Sequence, residues 1–293
     1  MQNINDHIPL SALCDEKVWK YKSLWRLLWY PIGFVLVFIR IIGLFILFLL
    51  ALPFSNAIRN RYHLKLLRFL MGHRMECNLS SVEIDRLTDG CVVSVNHISL
   101  YDAFNMLGLP HSVLLVGNST VKTVNIFSLF SNYAALVCSG GQFLKVTERR
   151  EFAGRIAAWR ANPAGTTLYT SPEKTIGNGQ GLFHFHSAFV CYKMPVIPLA
   201  LSVELPFGLN PHPLLSSGSA IFLRLMMMPW VKYKLTFLSP MQQSAGQSKT
   251  EFAQQVQQAI ADELKIPATH WTEEDKHAWR RLRKSQIGNS DAG

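Results

Sequence analysis

Apolar positions are distributed unevenly along the chain, and one run dominates. From Leu27 to Phe54 the sequence reads LLWYPIGFVLVFIRIIGLFILFLLALPF, broken by a single charge, Arg40. A straight helix of that length would reach ~42 Å at 1.5 Å per residue, beyond a ~30 Å hydrocarbon core. It would also hold Arg40 near the bilayer centre, at a cost of roughly 3 kcal/mol or more. Pro31 and Pro53 punctuate its ends, and Gly43 follows the arginine. Lys17, Lys20, Lys22 and Arg26 precede the run; Arg59, Arg61, Lys65, Arg68 and Arg74 follow it. Positive flanks favour the cytosolic side, so a single crossing would strand one of them. The pattern therefore predicts a monotopic re-entrant hairpin over 27–54, bent near Arg40–Gly43, with residues 1–26 as a basic cytosolic segment. A signal peptide fits poorly, because a long segment precedes the run and no small-residue cleavage site follows it.

Past residue 60 short apolar runs alternate with helical stretches. Cys91–Val95, Thr166–Tyr169 and Val196–Leu201 read as buried strands. Between Asp102 and Lys145 the only charge is Lys122, which marks that part as core. Val231, Tyr233, Leu235 and Phe237 alternate with Lys232, Lys234 and Thr236, the pattern of a half-exposed strand. Strands interleaved with helices predict an α/β domain over 60–240. A helical, basic extension over 248–293 follows. Ser248 and Glu251 have capping-box spacing, Phe252, Val256, Ile260 and Leu264 recur every fourth residue, and Pro267 closes that helix. A second helix is expected from about Thr272 into Lys276, Arg280, Arg281, Arg283 and Lys284. That basic run is read first as a solvated helix end and second as a contact for anionic headgroups.

Composition sharpens this picture. Hydrophobic residues make up 49% of the 293 positions and charged residues only 16%, against ~25% charged in ordinary soluble domains. Disorder is excluded, and a membrane-associated protein with a sizeable core is expected. The 29 Lys and Arg against 19 Asp and Glu leave a net charge of +10. No aromatic–basic stacking pattern accompanies that charge, so nucleic acid is not an expected partner. Cys14, Cys77, Cys91, Cys138 and Cys191 show no CxxC spacing, which argues against a disulfide scaffold or zinc ribbon and fits a reducing, cytosol-facing location.

The chemistry-bearing string is Asn96-His97-Ile98-Ser99-Leu100-Tyr101-Asp102, where a strand runs into a helix expected near Ser99. On one continuous helix His97 and Asp102 would stand ~140° apart. They meet only with His97 on the turn and Asp102 folded back from the first helical turn. So placed, the carboxylate fixes the imidazole tautomer while the other ring nitrogen takes a proton from a hydroxyl. The alternative is structural, since Ser99 and Asp102 also have capping-box-like spacing. His184, His186 and Cys191 are clustered, but Phe183-His184-Phe185-His186 reads better as a strand with one exposed face, and no metal or cofactor site is expected. Neither a GxSxG elbow nor a phosphate-cradling GxxxxGK loop is present.

With these residues in view, the 60–240 segment resembles the glycerolipid acyltransferase superfamily. Asn96–Asp102 matches its first motif. Ser171-Pro172-Glu173-Lys174-Thr175-Ile176-Gly177-Asn178-Gly179 is similar to its Pro-Glu-Gly-Thr block, and Met194-Pro195-Val196-Ile197-Pro198-Leu199 to its Val-Pro-Ile-Val-Pro block. The resemblance implies a glycerol-phosphate acyltransferase-like α/β fold with acyl-CoA as co-substrate and a lysophospholipid as acceptor. It implies His97 as general base and Asp102 as its orienter, with Glu173, Thr175, Lys145 and Arg149 at the acceptor. The chain departs from the pattern in three places. Lys174 stands where the block has glycine, and Ile176 where a basic residue often follows the threonine. The Gly-x-x-Phe-x-x-Arg block is blurred around Gly141, Phe143, Lys145, Arg149 and Arg150.

The whole chain is similar to a narrower family, that of ancient ubiquitous protein 1. The shared features are the basic flank, Tyr30-Pro31-Ile32-Gly33, the internal Arg40, the exit Leu52-Pro53, and the helix and acidic-to-basic stretch after the domain. That resemblance implies the endoplasmic-reticulum membrane and lipid-droplet surface, cytosolic face, with membrane lipids and protein-degradation machinery as partners. The family's ubiquitin-binding CUE domain is not visible in this sequence, so direct ubiquitin handling is not expected, and the chain reads as either a short form or an incomplete gene model.

Overall fold

The computed structural model describes residues 8–22, 24–51, 53, 62–106, 109, 112–117, 142–146, 149–162, 165–190 and 193–290. Its strands, in chain order, are β1 (His73–Cys77), β2 (Val92–Val95), β3 (Ser112–Gly117), β4 (Gln142–Val146), β5 (Thr167–Thr170), β6 (Val196–Glu204) and β7 (Val231–Phe237). They form one sheet in the order β1-β7-β6-β2-β5-β3-β4. Every pairing is parallel except β6 with β7. The parallel centre explains the apolar runs: β2 and β5 are buried at every position, because helices cover both faces. In β7, Val231, Tyr233, Leu235 and Phe237 are buried, while Lys232, Lys234 and Thr236 face outward.

The helices are α1 (Leu10–Leu13), α2 (Leu24–Ala51), α3 (Leu64–Met71), α4 (Ser81–Thr88), α5 (Asp102–Met106), α6 (Arg149–Ala161), α7 (Gly218–Met227), α8 (Lys249–Leu264) and α9 (Glu273–Ser290). On one face of the sheet Val37 and Leu44 of α2, Leu67 of α3 and Leu225 of α7 share a core with Val93, Tyr169 and Ile197. On the other face Ile156 of α6 and Phe252, Val256 and Ile260 of α8 pack on Val92, Leu168 and Val196. The helix expected beyond the domain is thus a layer of it, and the boundary at residue 240 does not separate two units. Its start is as expected: Ser248 Oγ accepts from Glu251 N at 3.2 Å, and Ser248 N donates to Glu251 Oε2 at 2.8 Å. The Phe183–His186 segment is not a strand. Phe183 and Phe185 are buried in an extended loop, whose backbone N–H groups at Leu182 and His184 donate to Pro267 and Trp271.

The apolar run also differs from its expectation. No bend occurs at Arg40–Gly43; α2 is one helix of 28 residues that begins before Pro31 and carries it inside. The reason lies in Arg40, which is 2% exposed. Its Nε donates to Leu70 O at 2.8 Å, and its Nη1 to Met226 O and Met228 O at 2.6 and 2.7 Å. Leu70 and Met226 lie in the last turns of α3 and α7 and Met228 caps α7, where the helix ladder leaves oxygens unpaired and partly negative. The one charge in the run therefore caps two helix ends instead of facing lipid. Gly72 makes room for it: its φ is +69°, and a Cβ there would stand 2.6 Å from both Arg40 Nη2 and Pro229 O. Trp29 Nε1 adds a bond to Met227 O at 2.7 Å. With Leu47 also buried, α2 is fastened to the domain over about 27 Å of its length.

Arg40→Met keeps the stem but removes every donor and leaves the carbonyls buried. It is expected to cost about 3 kcal/mol of unfolding free energy, measured by denaturant titration in detergent micelles. Lys22→Met, at an exposed position, is the comparison and should change little; equal losses from the two would refute the capping role.

Candidate active site

β2 ends at Val95 and β5 at Thr170, and the two pair in parallel, so the residues leaving their carboxyl ends emerge side by side. Ligands of open α/β sheets bind at this edge. Asn96 continues the sheet through its side chain. Its Nδ2 donates to Leu201 O at 2.9 Å, and its Oδ1 accepts from Leu201 N at 2.8 Å. That amide replaces a ladder pair and lets the chain turn away toward α5.

The turn brings His97 and Asp102 together. His97 precedes the helix and Asp102 opens it, so the ~140° separation of a continuous helix does not apply. His97 Nδ1 lies 2.9 Å from Asp102 Oδ2. The same oxygen accepts from Ile98 N at 2.7 Å and Ser99 N at 2.9 Å. With an acceptor-only carboxylate opposite, Nδ1 carries the proton and donates it, leaving Nε2 with its lone pair. The His97 side chain is 27% exposed and that of Asp102 only 6%. The helix starts at Asp102, three residues later than expected. Ser99 supports the turn: its hydroxyl accepts from Tyr101 N at 3.1 Å and meets Tyr233 Oη at 3.2 Å. Ile98, Asn178, Gly179 and Leu201 line an open cleft beside the turn.

From β5 comes Glu173, 1% exposed. Its Oε1 accepts from His97 N at 2.8 Å and its Oε2 from Phe183 N at 3.0 Å. Through these two backbone donors Glu173 holds the His97 turn. Burial pushes its carboxyl up to about 8; the two backbone donors and Lys276 pull it down less strongly. Gly177 N donates to His97 O at 2.7 Å, so the loop after Glu173 grips His97 on both sides. Thr175 is buried within that loop. Lys174 has a φ of +57°, the left-handed conformation that suits the glycine of the related block, and its Nζ pairs with Glu273 Oε2 at 2.9 Å.

The remaining expected residues are not brought into view. Lys145 lies on β4 and Arg149 opens α6, but their side chains lie outside the described residues, as do Gly141 and the side chains of Phe143 and Arg150. Cys191 also lies outside them, while the His184 and His186 rings stand 6.0 Å apart. Among the described residues no His, Cys, Asp and Glu group is placed to hold a metal ion. Sequence reasoning missed Tyr233 and Lys276. Both are far along the chain, and their residue types carry no signal of what they touch.

No family model matches the chain. The lipid droplet-regulating VLDL assembly factor AUP1 of Danio rerio is 27% identical over 91% of this chain and 61% of its own length. The proteins of that name from Xenopus tropicalis and Homo sapiens are each 25% identical, over 90% and 85% of this chain and 62% and 58% of their own lengths. The chain thus spans about three fifths of the relatives it matches. Among solved structures, the 1-acyl-sn-glycerophosphate (LPA) acyltransferase PlsC of Thermotoga maritima aligns with a TM-score of 0.52, covering 83% of this chain and 98% of its own, at 13% identity. That likeness establishes the architecture. Over most of its length the chain is thus similar to the ancient ubiquitous protein 1 (AUP1) proteins, and it shares the fold of the Thermotoga maritima acyltransferase.

Proposed function

We propose that the protein transfers an acyl group from acyl-CoA to the hydroxyl of a lysophospholipid at a membrane or lipid-droplet surface. The observation that carries this reading is the His97–Asp102 pair at 2.9 Å, with Nε2 left for a substrate hydroxyl. His97 Nε2 takes the hydroxyl proton as the oxygen attacks the thioester carbonyl. Asp102 stabilises the imidazolium, and the CoA sulfur leaves and receives that proton. The AUP1 relatives, named for lipid-droplet regulation, support the setting. The proposal extends to the cytosolic face of the endoplasmic reticulum and to contact with protein-degradation machinery.

A second reading has its own observation. Lys174 is locked into an ion pair where an acceptor block would have glycine, which favours an acyltransferase fold kept as a lipid-binding scaffold in droplet formation. Labelled acyl-CoA and a panel of lysophospholipids, offered to protein in nanodiscs, separate the two. The enzyme reading expects turnover that falls by about 10²-fold or more in His97→Ala. Background-level signal from a folded wild type leaves only the scaffold.

Membrane attachment is proposed through the exposed side of α2 with α3. Trp25, Phe38, Ile42, Phe45 and Leu49 are exposed along α2, and Phe69 of α3 is 85% exposed. Since the opposite side of α2 is fastened to the domain, the helix is proposed to lie within one leaflet, parallel to the surface. Nitroxide labels at positions 25 and 49 of a cysteine-free protein are expected at equal depth. A transmembrane helix would separate them by about 36 Å.

Glu173 is proposed as a positioning carboxylate. Its folded-state value of about 8 lies above the ordinary 4.5, so between those pH values the folded protein holds a proton that the unfolded chain releases. Folding stability therefore falls as pH rises through that window, by on the order of a few kcal/mol. Lys276, which faces it, is lowered by burial to about 8 and acts in the window above, with the opposite slope. Against Glu173→Gln, wild type should lose stability from pH 5 to 8 in denaturant titrations; parallel curves would refute the assignment.

A further inference from the structure

α9 reaches back onto the loop that grips His97. Lys276 is 6% exposed, and its ammonium donates to the carbonyl oxygen of Ile176. It faces the Phe183 ring at 5.6 Å and lies within electrostatic range of Glu173, Cys14, Glu273, Arg280 and His212. One turn earlier, Glu273 Oε2 holds Lys174 Nζ at 2.9 Å. The helix therefore touches the loop at 174 and 176, either side of Thr175. The loop in turn touches His97 at its N–H through Glu173 and at its C=O through Gly177.

A buried ammonium is costly unless something needs it there. Here it satisfies a carbonyl in a turn that no strand or helix ladder can serve. The left-handed Lys174 points the same way. A non-glycine residue in that conformation costs about 1 kcal/mol or more, and its side chain pairs with Glu273. The substitution in the block and the carboxylate on α9 thus work as a pair.

We propose that Lys276 and Glu273 are positioning residues: α9 clasps the 173–177 loop and through it sets the His97 turn. This deepens, and for its effect on turnover rests on, the acyl-transfer reading. The clasp belongs to the C-terminal helices and lies outside the three motif blocks. It also accounts for the divergence at Lys174 without loss of the His97 geometry.

The test uses full-length protein in nanodiscs with Lys276→Met, Lys276→Arg, Glu273→Gln and, as control, Lys284→Met at an exposed position of the same helix. Two readouts are taken. One is the rate of tryptic cleavage after Lys174 relative to that after Lys232 in β7. The other is the low-field proton resonance of His97 Nδ1–H, assigned by its loss in His97→Gln. Lys276→Met is expected to raise the cleavage ratio about tenfold and to broaden or erase the resonance. Glu273→Gln should act in the same direction, Lys276→Arg should restore both readouts, and Lys284→Met should change neither. If Lys276→Met unfolds the chain, both cleavages rise together, and Glu273→Gln, whose pair is partly exposed, decides alone. Wild-type ratio and resonance in Glu273→Gln and a folded Lys276→Met would overturn the proposal. Changed readouts without wild-type turnover would keep the clasp and reject the acyl-transfer reading.

Discussion

A single oxygen organises the site. Asp102 Oδ2 gathers the imidazole N–H of His97 and the backbone N–H groups of Ile98 and Ser99. Three donors on one buried carboxylate oxygen fix the turn out of β2, the start of α5 and the ring of His97 at once. An uncharged acceptor would hold the same three donors more weakly, since hydrogen bonds to an ionised group are roughly twice as strong. Asp102 Oδ1 is buried and has no hydrogen-bond partner among the described residues. All three donors thus meet the oxygen that faces His97. The capping and catalytic readings of this spacing are not rivals, because the bonds that shape the turn are the bonds that aim the imidazole.

A comparable economy governs the apolar run. An arginine amid 27 uncharged residues signals an expense in sequence, and bending the chain to expose it is one solution. The molecule uses another. Carbonyls at the ends of α3 and α7 need donors, and Arg40 reaches three of them. The resulting helix has two unlike sides along its length, one set on the domain and one of exposed phenylalanine, isoleucine and leucine. Such a helix is tied to the depth of its domain, which a free transmembrane anchor is not.

Much of the architecture was legible because its signals are local. The buried strands β2, β5 and β6 showed as apolar runs, β7 as alternation, and α8 as a capped four-residue repeat. The His97–Asp102 pair was one of two readings of the spacing at a strand–helix junction, and the resemblance singled it out. What stayed hidden depends on contacts between distant positions. β1 (HRMEC) has no apolar run, and it is a strand because it pairs with β7. Phe183-His184-Phe185-His186 alternates like a strand and is buried like one, yet its donors go to a loop at 267–271. Glu173 was placed at the acceptor by resemblance alone. Its backbone partners, 76 positions before it and 10 after it, could not be read from the motif.

The C-terminal helices show why motif departures need structural reading. Lys174 and Ile176, taken alone, suggest a damaged acceptor block. In the fold, the Lys174 side chain is held by Glu273, and the Ile176 carbonyl by Lys276. Meanwhile Glu173 and Gly177 keep both backbone contacts to His97. The loop carries a left-handed lysine and is braced from outside by α9. A braced loop can preserve the base while changing what lies beside it. The backbone contacts that hold the His97 turn and the side chains of the loop beside it are therefore separable features of this fold.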